Sequence, residues 1–331
     1  MSTPESTDSS EEPPPEDSGR PFHIVGLGLA GAVLAWQLKF RYGDERRITA
    51  VDRDEAMTSS KIAAGLITPI TGGRLSASWR YREFWTVARK FYKAIEAETG
   101  AKFLRQVPIR REFYNQEEAD RFEKKDMALR KETGLGIRKF EGGFEMQGAW
   151  LDVPAFLAAT RGWLESENAF EIGDFDPLAV DPDVTTIFCQ GWTQTDNPWF
   201  PDVVFRGAKG QILEVESDDF SRDHVLNRRT WILPVGRNRF RVGATYEWEF
   251  DTLEPTPEGR EALVEKLDAM VGDATYQIVD QTAGVRPIIQ QSRPVFLQHP
   301  ERPEIAFFNG LGSKGVLNAP YAAAEIAEIL G

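Results

Sequence analysis

Three observations predict an α/β fold built from two interleaved parts. A glycine-rich turn, Gly26-Leu27-Gly28-Leu29-Ala30-Gly31, lies between the apolar run Phe22 to Val25 and a stretch with apolar residues at helical spacing. A second such turn, Gly310 to Gly315, lies between the apolar segment 304–308 and the last helical stretch. Between them, residues 203–248 hold short β-type runs separated by Gly- or Asp-containing turns, which is the pattern of an antiparallel sheet. The two ends are therefore read as one Rossmann-like dinucleotide-binding unit, with antiparallel sheet inserted.

Each element follows from local pattern. Residues 1–20 carry six acids against one base, Arg20, with Pro13 to Pro15 in a row. Such a segment cannot bury enough apolar surface to offset its ordering entropy and is expected to be a disordered acidic tail. Residues 22–25 form a strand, 29–40 a helix and 47–52 a second strand, giving a βαβ unit. Over 78–98, Trp79, Phe84, Trp85, Ala88, Phe91, Tyr92 and Ile95 share one face of a long amphipathic helix. Residues 102–114 alternate as strands, 115–131 read as a charged helix, and 143–166 run from a strand into a helix beginning near Asp152. The strand 184–189 leads into the glycine turn Cys189-Gln190-Gly191-Trp192. Val203 to Phe205, Gln211 to Val215, Thr230 to Pro234 and Phe240 to Ala244 read as strands of the inserted sheet. A helix at 256–271, strands at 276–285 and 304–308 and a helix at 315–330 complete the chain. The expected division is 21–75, 145–205 and 284–331 for the nucleotide-binding domain, and 76–144 and 206–283 for the substrate domain.

Composition narrows the function. The 331 residues carry a net charge of −13, and −8 once residues 1–20 are set aside. That balance argues against a broad phosphate-binding surface. One cysteine, Cys189, excludes an internal disulfide, and His23, His224 and His299 lack metal-ligand spacing, so no metal is expected. There is no long uncharged apolar run and no signal-like start, which predicts a cytoplasmic protein with no membrane partner.

In the first turn Gly26 permits the tight bend, Gly28 lets backbone approach a pyrophosphate, and Gly31 allows close helix–strand packing. The helix start offers free N–H groups to the anion, and Asp52 ends the second strand where a ribose would be met. The turn alone does not separate a nicotinamide from a flavin dinucleotide. A later segment does: Ser59-Ser60-Lys61-Ile62-Ala63-Ala64-Gly65-Leu66-Ile67-Thr68-Pro69 suits a backbone running beside a long cofactor. The helix start at Gly310 to Gly315 then receives the cofactor's other polar end.

With these residues in place, the sequence resembles FAD-dependent oxidoreductases of the D-amino-acid oxidase and glycine oxidase type. Within that type it is most similar to the oxidase domain of bifunctional tRNA 5-methylaminomethyl-2-thiouridine biosynthesis proteins. The resemblance rests on the first turn, Ser59 to Pro69, Lys209-Gly210-Gln211, Pro234 with Val242 to Tyr246, Gly284-Val285-Arg286-Pro287, and Gly310 to Pro320. It implies a D-amino-acid oxidase-like fold with FAD held by Gly26, Gly28, Ala30, Gly31, Asp52, Arg53, Ser59, Ser60, Lys61, Ala63, Ala64, Gly65, Gly191, Gly310, Gly312, Ser313, Lys314 and Gly315. It further implies that Arg286 pairs with a substrate carboxylate, that Trp231 and Tyr246 lie over the flavin's substrate face, and that Lys314 adds positive charge at the flavin. The implied reaction is hydride transfer from an amine or N-substituted amino acid to flavin N5, with imine hydrolysis and reoxidation by oxygen.

Trp231 stands where glycine oxidases have a tyrosine, and Leu311 replaces their histidine-containing turn, which disfavours a small free amino acid as substrate. A second reading is removal of a carboxymethyl group from a modified wobble uridine in tRNA, for which Arg74, Arg80, Arg82, Arg105, Arg110, Arg111, Arg228 and Arg229 are the candidate contacts. A third is a non-catalytic flavin-binding protein whose acidic tail recruits a partner.

Overall fold

The structure, a computed structural model, describes residues 19–194, 196–289 and 293–331. The acidic segment predicted to be disordered therefore lies outside the described residues over 1–18.

The chain opens with β1 (Phe22–Val25), α1 (Leu29–Tyr42) and β2 (Ile48–Asp52). A single-turn helix α2 (Ser59–Ile62) and three two-residue strands, β3 (Leu66–Ile67), β4 (Ile70–Thr71) and β5 (Ser76–Ala77), lead to α3 (Tyr81–Thr99). Then come β6 (Leu104–Glu112), α4 (Gln116–Thr133), β7 (Arg138–Phe140), β8 (Gly143–Leu151), α5 (Val153–Ser166), β9 (Phe170–Ile172) and β10 (Thr185–Phe188). The inserted sheet continues with β11 (Ala208–Glu216), β12 (Val225–Arg228), β13 (Thr230–Pro234) and β14 (Arg239–Gly243). Helix α6 (Pro257–Val271), β15 (Gln277–Arg286), β16 (Val295–Gln298), β17 (Ile305–Asn309) and α7 (Gly315–Ile329) close the chain.

Two sheets organise these elements. The first has six strands in the order β16-β17-β10-β1-β2-β9, parallel throughout except at β16. Every residue of β10 and β17 is buried, as expected of parallel strands covered on both faces. Helix α1 is its central cover: nine of its residues are buried, and the Trp36 indole donates to Thr160 Oγ1 of α5 at 2.9 Å. Each such fully buried large side chain stabilises by roughly 1.5–3 kcal/mol relative to exposure. The second sheet has nine strands, in the order β15-β11-β14-β13-β12-β6-β8-β3 with β7 beside β8, and is antiparallel except at β12–β6. It takes β3 from within 21–75, most of β8 from within 145–205 and the end of β15 from beyond 284, so the two sheets interleave along the chain. Its register sets Thr282, Ile212, Gly243, Trp231, Asn227 and Arg111 side by side in one transverse row.

Two expectations are corrected. Residues 203–205 form no strand; Val204 is 79% exposed while Val203 and Phe205 pack against the core around Phe307, so the short apolar run is a surface crossing. The helix expected from 78 begins at Tyr81, because Arg80 takes a left-handed φ of +48° that interrupts the helical path, and Trp79 stays outside it. Ser59 to Pro69, which the sequence reads only as a backbone beside the cofactor, makes the turn of α2, capped by Thr58 Oγ1, before β3 pairs with β8.

Candidate active site

One cavity of about 1200 Å³ runs from the β1–α1 turn, past the segment after β2, to the face of the nine-stranded sheet and the start of α7. Ligand pockets commonly measure about 300–1,000 Å³, so there is room for a long ligand and a second molecule.

At its first end Gly26 has φ +95°, and a Cβ there would lie 2.9 Å from the carbonyl oxygen of buried Cys189. A Cβ at Gly31 would lie 2.0 Å from Gly26 O, so this glycine fixes how closely α1 meets β1. Gly31 thus shapes the turn from behind, while Gly26, Gly28 and Ala30 line the cavity. The α1 start has no side-chain cap, whereas α4, α5 and α6 are capped by Asn115, Asp152 and Thr256. Instead, Leu29 N donates to Ser60 Oγ at 2.9 Å, and Leu27 N to Asp52 Oδ2 at 2.6 Å. Asp54 N donates to the other Asp52 oxygen at 2.7 Å. The Asp52 carboxylate therefore fastens the turn to β2, and lone pairs remain on both oxygens for a ribose hydroxyl.

Ser59, Ser60, Lys61, Ala63, Ala64 and Gly65 all line the next stretch, with Arg53. The two cations are committed elsewhere, however. Lys61 Nζ binds Asp54 at 2.7 Å and Glu55 O at 2.8 Å, and Arg53 pairs with Asp174 and with Glu55 at 3.5 Å. These residues contribute backbone and stems rather than free charge. Arg241, which falls outside the sequence motifs, donates to Ala63 O at 3.0 Å and to Ile62 O, with its pKa lowered by burial. It clamps the segment to β14.

On the sheet side, Trp231, Tyr246 and Arg286 all face the cavity. Two glycines let flat side chains lie down on the strands. A Cβ at Gly210 would meet Arg286 Nη2 at 2.3 Å, and one at Gly243 would meet Trp231 Cζ2 at 2.8 Å. Arg286 donates only long bonds, 3.4 Å to Ala208 O and 3.4 Å to Thr245 O, and stacks on Tyr246 with its guanidinium 4.9 Å from the ring centre. Among the described residues no carboxylate lies within 4.0 Å of it. Glu247 is nearby, but its Oε1 accepts from Thr245 Oγ1 at 2.5 Å and from Gln211 Nε2 at 3.0 Å. Burial lowers the Arg286 pKa, the mark of a cation held without a full counter-charge.

At the far end, Gly312, Ser313, Lys314 and Gly315 line the cavity, and α7 starts without a side-chain cap. Gly310, with φ +76°, turns the chain behind them, and Gly191 with φ +62° sits alongside, its carbonyl accepting from Asn309 Nδ2 at 2.8 Å. Lys314 Nζ donates to Thr71 Oγ1 at 3.2 Å and Ser78 Oγ at 3.0 Å, and burial lowers its pKa. No carboxylate among the described residues comes within 4.0 Å of it. No group of three or more metal-ligating side chains occurs among the described residues.

The structure also sorts the arginines named as nucleic-acid contacts. Arg111 is withdrawn from that role: it is 4% exposed, paired with Glu118 and bonded to Asn227 Oδ1 at 2.7 Å. Arg80 is paired with Glu83, and Arg228 lies 3.8 Å from Glu112.

A parallel sheet opening on a glycine turn, joined to a mixed sheet that presents an uncompensated arginine, is the architecture of a dinucleotide-dependent oxidoreductase. The profile of the FAD-dependent oxidoreductase (DAO) family matches residues 22–329, and the chain belongs to that family. FAD is its cofactor, and the cradle formed by the two glycine turns and Ser59 to Gly65 fits it. A glycine oxidase of Bacillus licheniformis is 30% identical over 131 residues, which is 39% of this chain and 36% of that enzyme's length. The bifunctional tRNA 5-methylaminomethyl-2-thiouridine biosynthesis protein MnmC of Idiomarina loihiensis is 23% identical over 346 residues, or 92% of this chain and 54% of that protein. Among solved structures, iminodiacetate oxidase from Chelativorans sp. BNC1 superposes with a TM-score of 0.76 at 17% identity, covering 93% of this chain and 94% of that one. No helix among the described residues is long and apolar enough to cross a membrane.

Proposed function

We propose that this FAD-dependent oxidoreductase oxidises a C–N bond of an amine or N-substituted amino acid that bears a carboxylate, with oxygen as electron acceptor. The observation that carries the reading is Arg286: a buried guanidinium facing the cavity, with two long carbonyl bonds and no carboxylate within 4.0 Å among the described residues. Its planar fork suits bidentate capture of a carboxylate, which would hold the adjacent carbon in a single orientation. When bound, FAD supplies the redox chemistry by accepting a hydride equivalent from the substrate carbon.

The chain's own contribution is placement and charge. The uncapped start of α1 and its glycine turn would receive the pyrophosphate, Asp52 the ribose, and Ser59 to Gly65 the extended middle of the cofactor. Backbone N–H groups at Gly312 to Gly315 and the Lys314 ammonium would hold negative charge at the ring's pyrimidine side. Trp231 and Tyr246 would wall the substrate face and exclude water.

The test is direct. Purified protein should be yellow with a flavin spectrum, and members of a panel of N-substituted glycines should bleach it anaerobically. A yellow protein that no amine bleaches would remove the amine assignment.

A further inference from the structure

The substrate's carboxylate accounts for one cation on the sheet face, and a second remains. Arg229 forms the tip of the β12–β13 hairpin with a left-handed φ of +63°, uncommon for a residue other than glycine. This conformation presents its guanidinium over the Tyr114 ring, 3.6 Å from the centroid, in the wall of the same cavity that holds Arg286. Among the described residues it has no carboxylate within 4.0 Å. Of the other cations lining this side of the cavity, Arg111 is neutralised by Glu118 and Lys266 belongs to α6, which leaves Arg229 as the cation held against an aromatic ring at the hairpin tip. Of the acids lining the cavity, Asp52 and Glu55 belong to β2 and the segment after it, leaving Glu254 as the carboxylate on the sheet side. Arg105 and Arg206 also stack on aromatic rings outside any ion pair, but they do not line the cavity; Arg229 is exposed and does line it, which sets it apart.

We propose that the substrate carries a second anionic group, received by Arg229; this rests on the amine-oxidase reading. Arg229 is at the tip that leads into β13 and Arg286 is on β15, with β14 and β11 between, so their backbones are about 14 Å apart across the sheet at about 4.8 Å per strand, and further offset along it. Arg286 shortens this gap, because its head crosses Gly210 to reach Thr245 O. A substrate bound to both is a diacid whose two anionic groups are several bonds apart, with the reacting C–N bond next to the Arg286 end and Trp231 between the two anchors. Its second group meets a cation stacked on an aromatic ring, which fixes the guanidinium plane at little entropic cost.

The experiment measures a ratio within each FAD-loaded enzyme. We compare kcat/KM for an N-(carboxypropyl)glycine with that for its terminal carboxamide, in the wild type, Arg229→Gln and Arg229→Lys. The wild type should prefer the carboxylate by about tenfold, Arg229→Gln should fall to near parity, and Arg229→Lys should keep part of the preference. Equal turnover of the two by the wild type, or a preference that survives Arg229→Gln, overturns the proposal. A second readout does not need turnover: pimelate and its monoamide are titrated against the visible flavin spectrum. If no amine bleaches the flavin, the amine-oxidase reading fails, and this titration alone decides the subsite. Tighter pimelate binding that depends on Arg229 supports it, and its absence removes it.

Discussion

Arg286 can lie across the sheet because position 210 has no side chain; a methyl group there would meet its Nη2 at 2.3 Å. Gly210→Ala should therefore lower kcat/KM for a carboxylate-bearing amine by about 10- to 100-fold, the worth of a charge-assisted hydrogen bond. Steady-state kinetics with the flavin content matched to wild type checks this. Lys314 has a pH signature. Burial lowers its pKa from the ordinary 10.5, so the folded state gives up its proton before the unfolded chain does. Between those two values the unfolded state binds more protons, and stability rises with pH. In FAD-free protein, the melting-temperature advantage of Lys314→Met over wild type should shrink from about pH 7 to about pH 10; a constant difference would contradict the assignment. At this scale the sequence named the cavity-lining glycines and Arg286 but could not show that Lys61 and Arg53 spend their charges on Asp54, Asp174 and Glu55. The Arg53–Asp174 pair joins residues 121 positions apart and leaves no local pattern.

Among the elements, the βαβ opening and the strand-to-helix passage at Asp152 were legible because their apolar spacing and caps are local. Strand β12 was not: Val225–Arg228 has only two apolar residues, too few for a pattern, and it pairs in parallel with β6, more than a hundred residues earlier in the chain. Arg241 escaped for the same reason, as nothing in its own strand indicates that it reaches α2. Its two bonds to Ile62 O and Ala63 O are the clamp that holds the segment before β3 in place. Arg241→Met would leave those carbonyls unpaired at a cost of about 1–3 kcal/mol. The expected result is FAD affinity weakened by about tenfold or more together with a lower melting temperature, measured by recovery of flavin fluorescence on dilution and by thermal denaturation. Unchanged FAD affinity would show that the clamp is dispensable.

Among the described residues the two large sheets, with a small β4–β5 ribbon beside them, have strands that alternate along the chain and meet at one cavity, so the cofactor is a bridge between them. Mass action makes that bridge stabilising: at a hundred times its dissociation constant, FAD adds about 2.7 kcal/mol to folding. The buried floor of the bridge includes Cys189, 3% exposed, the sequence's one cysteine, with burial pushing its thiol pKa up. That residue gives the protein an intrinsic clock. A thiol-specific dye can label the chain only when the floor beneath the first turn opens, and with one cysteine the colour develops as a single exponential. Labelling should slow in proportion to FAD occupancy and be abrupt in denaturant. The rate then reports how often the first turn lifts from the end of β10, with no engineered probe and no substrate in hand.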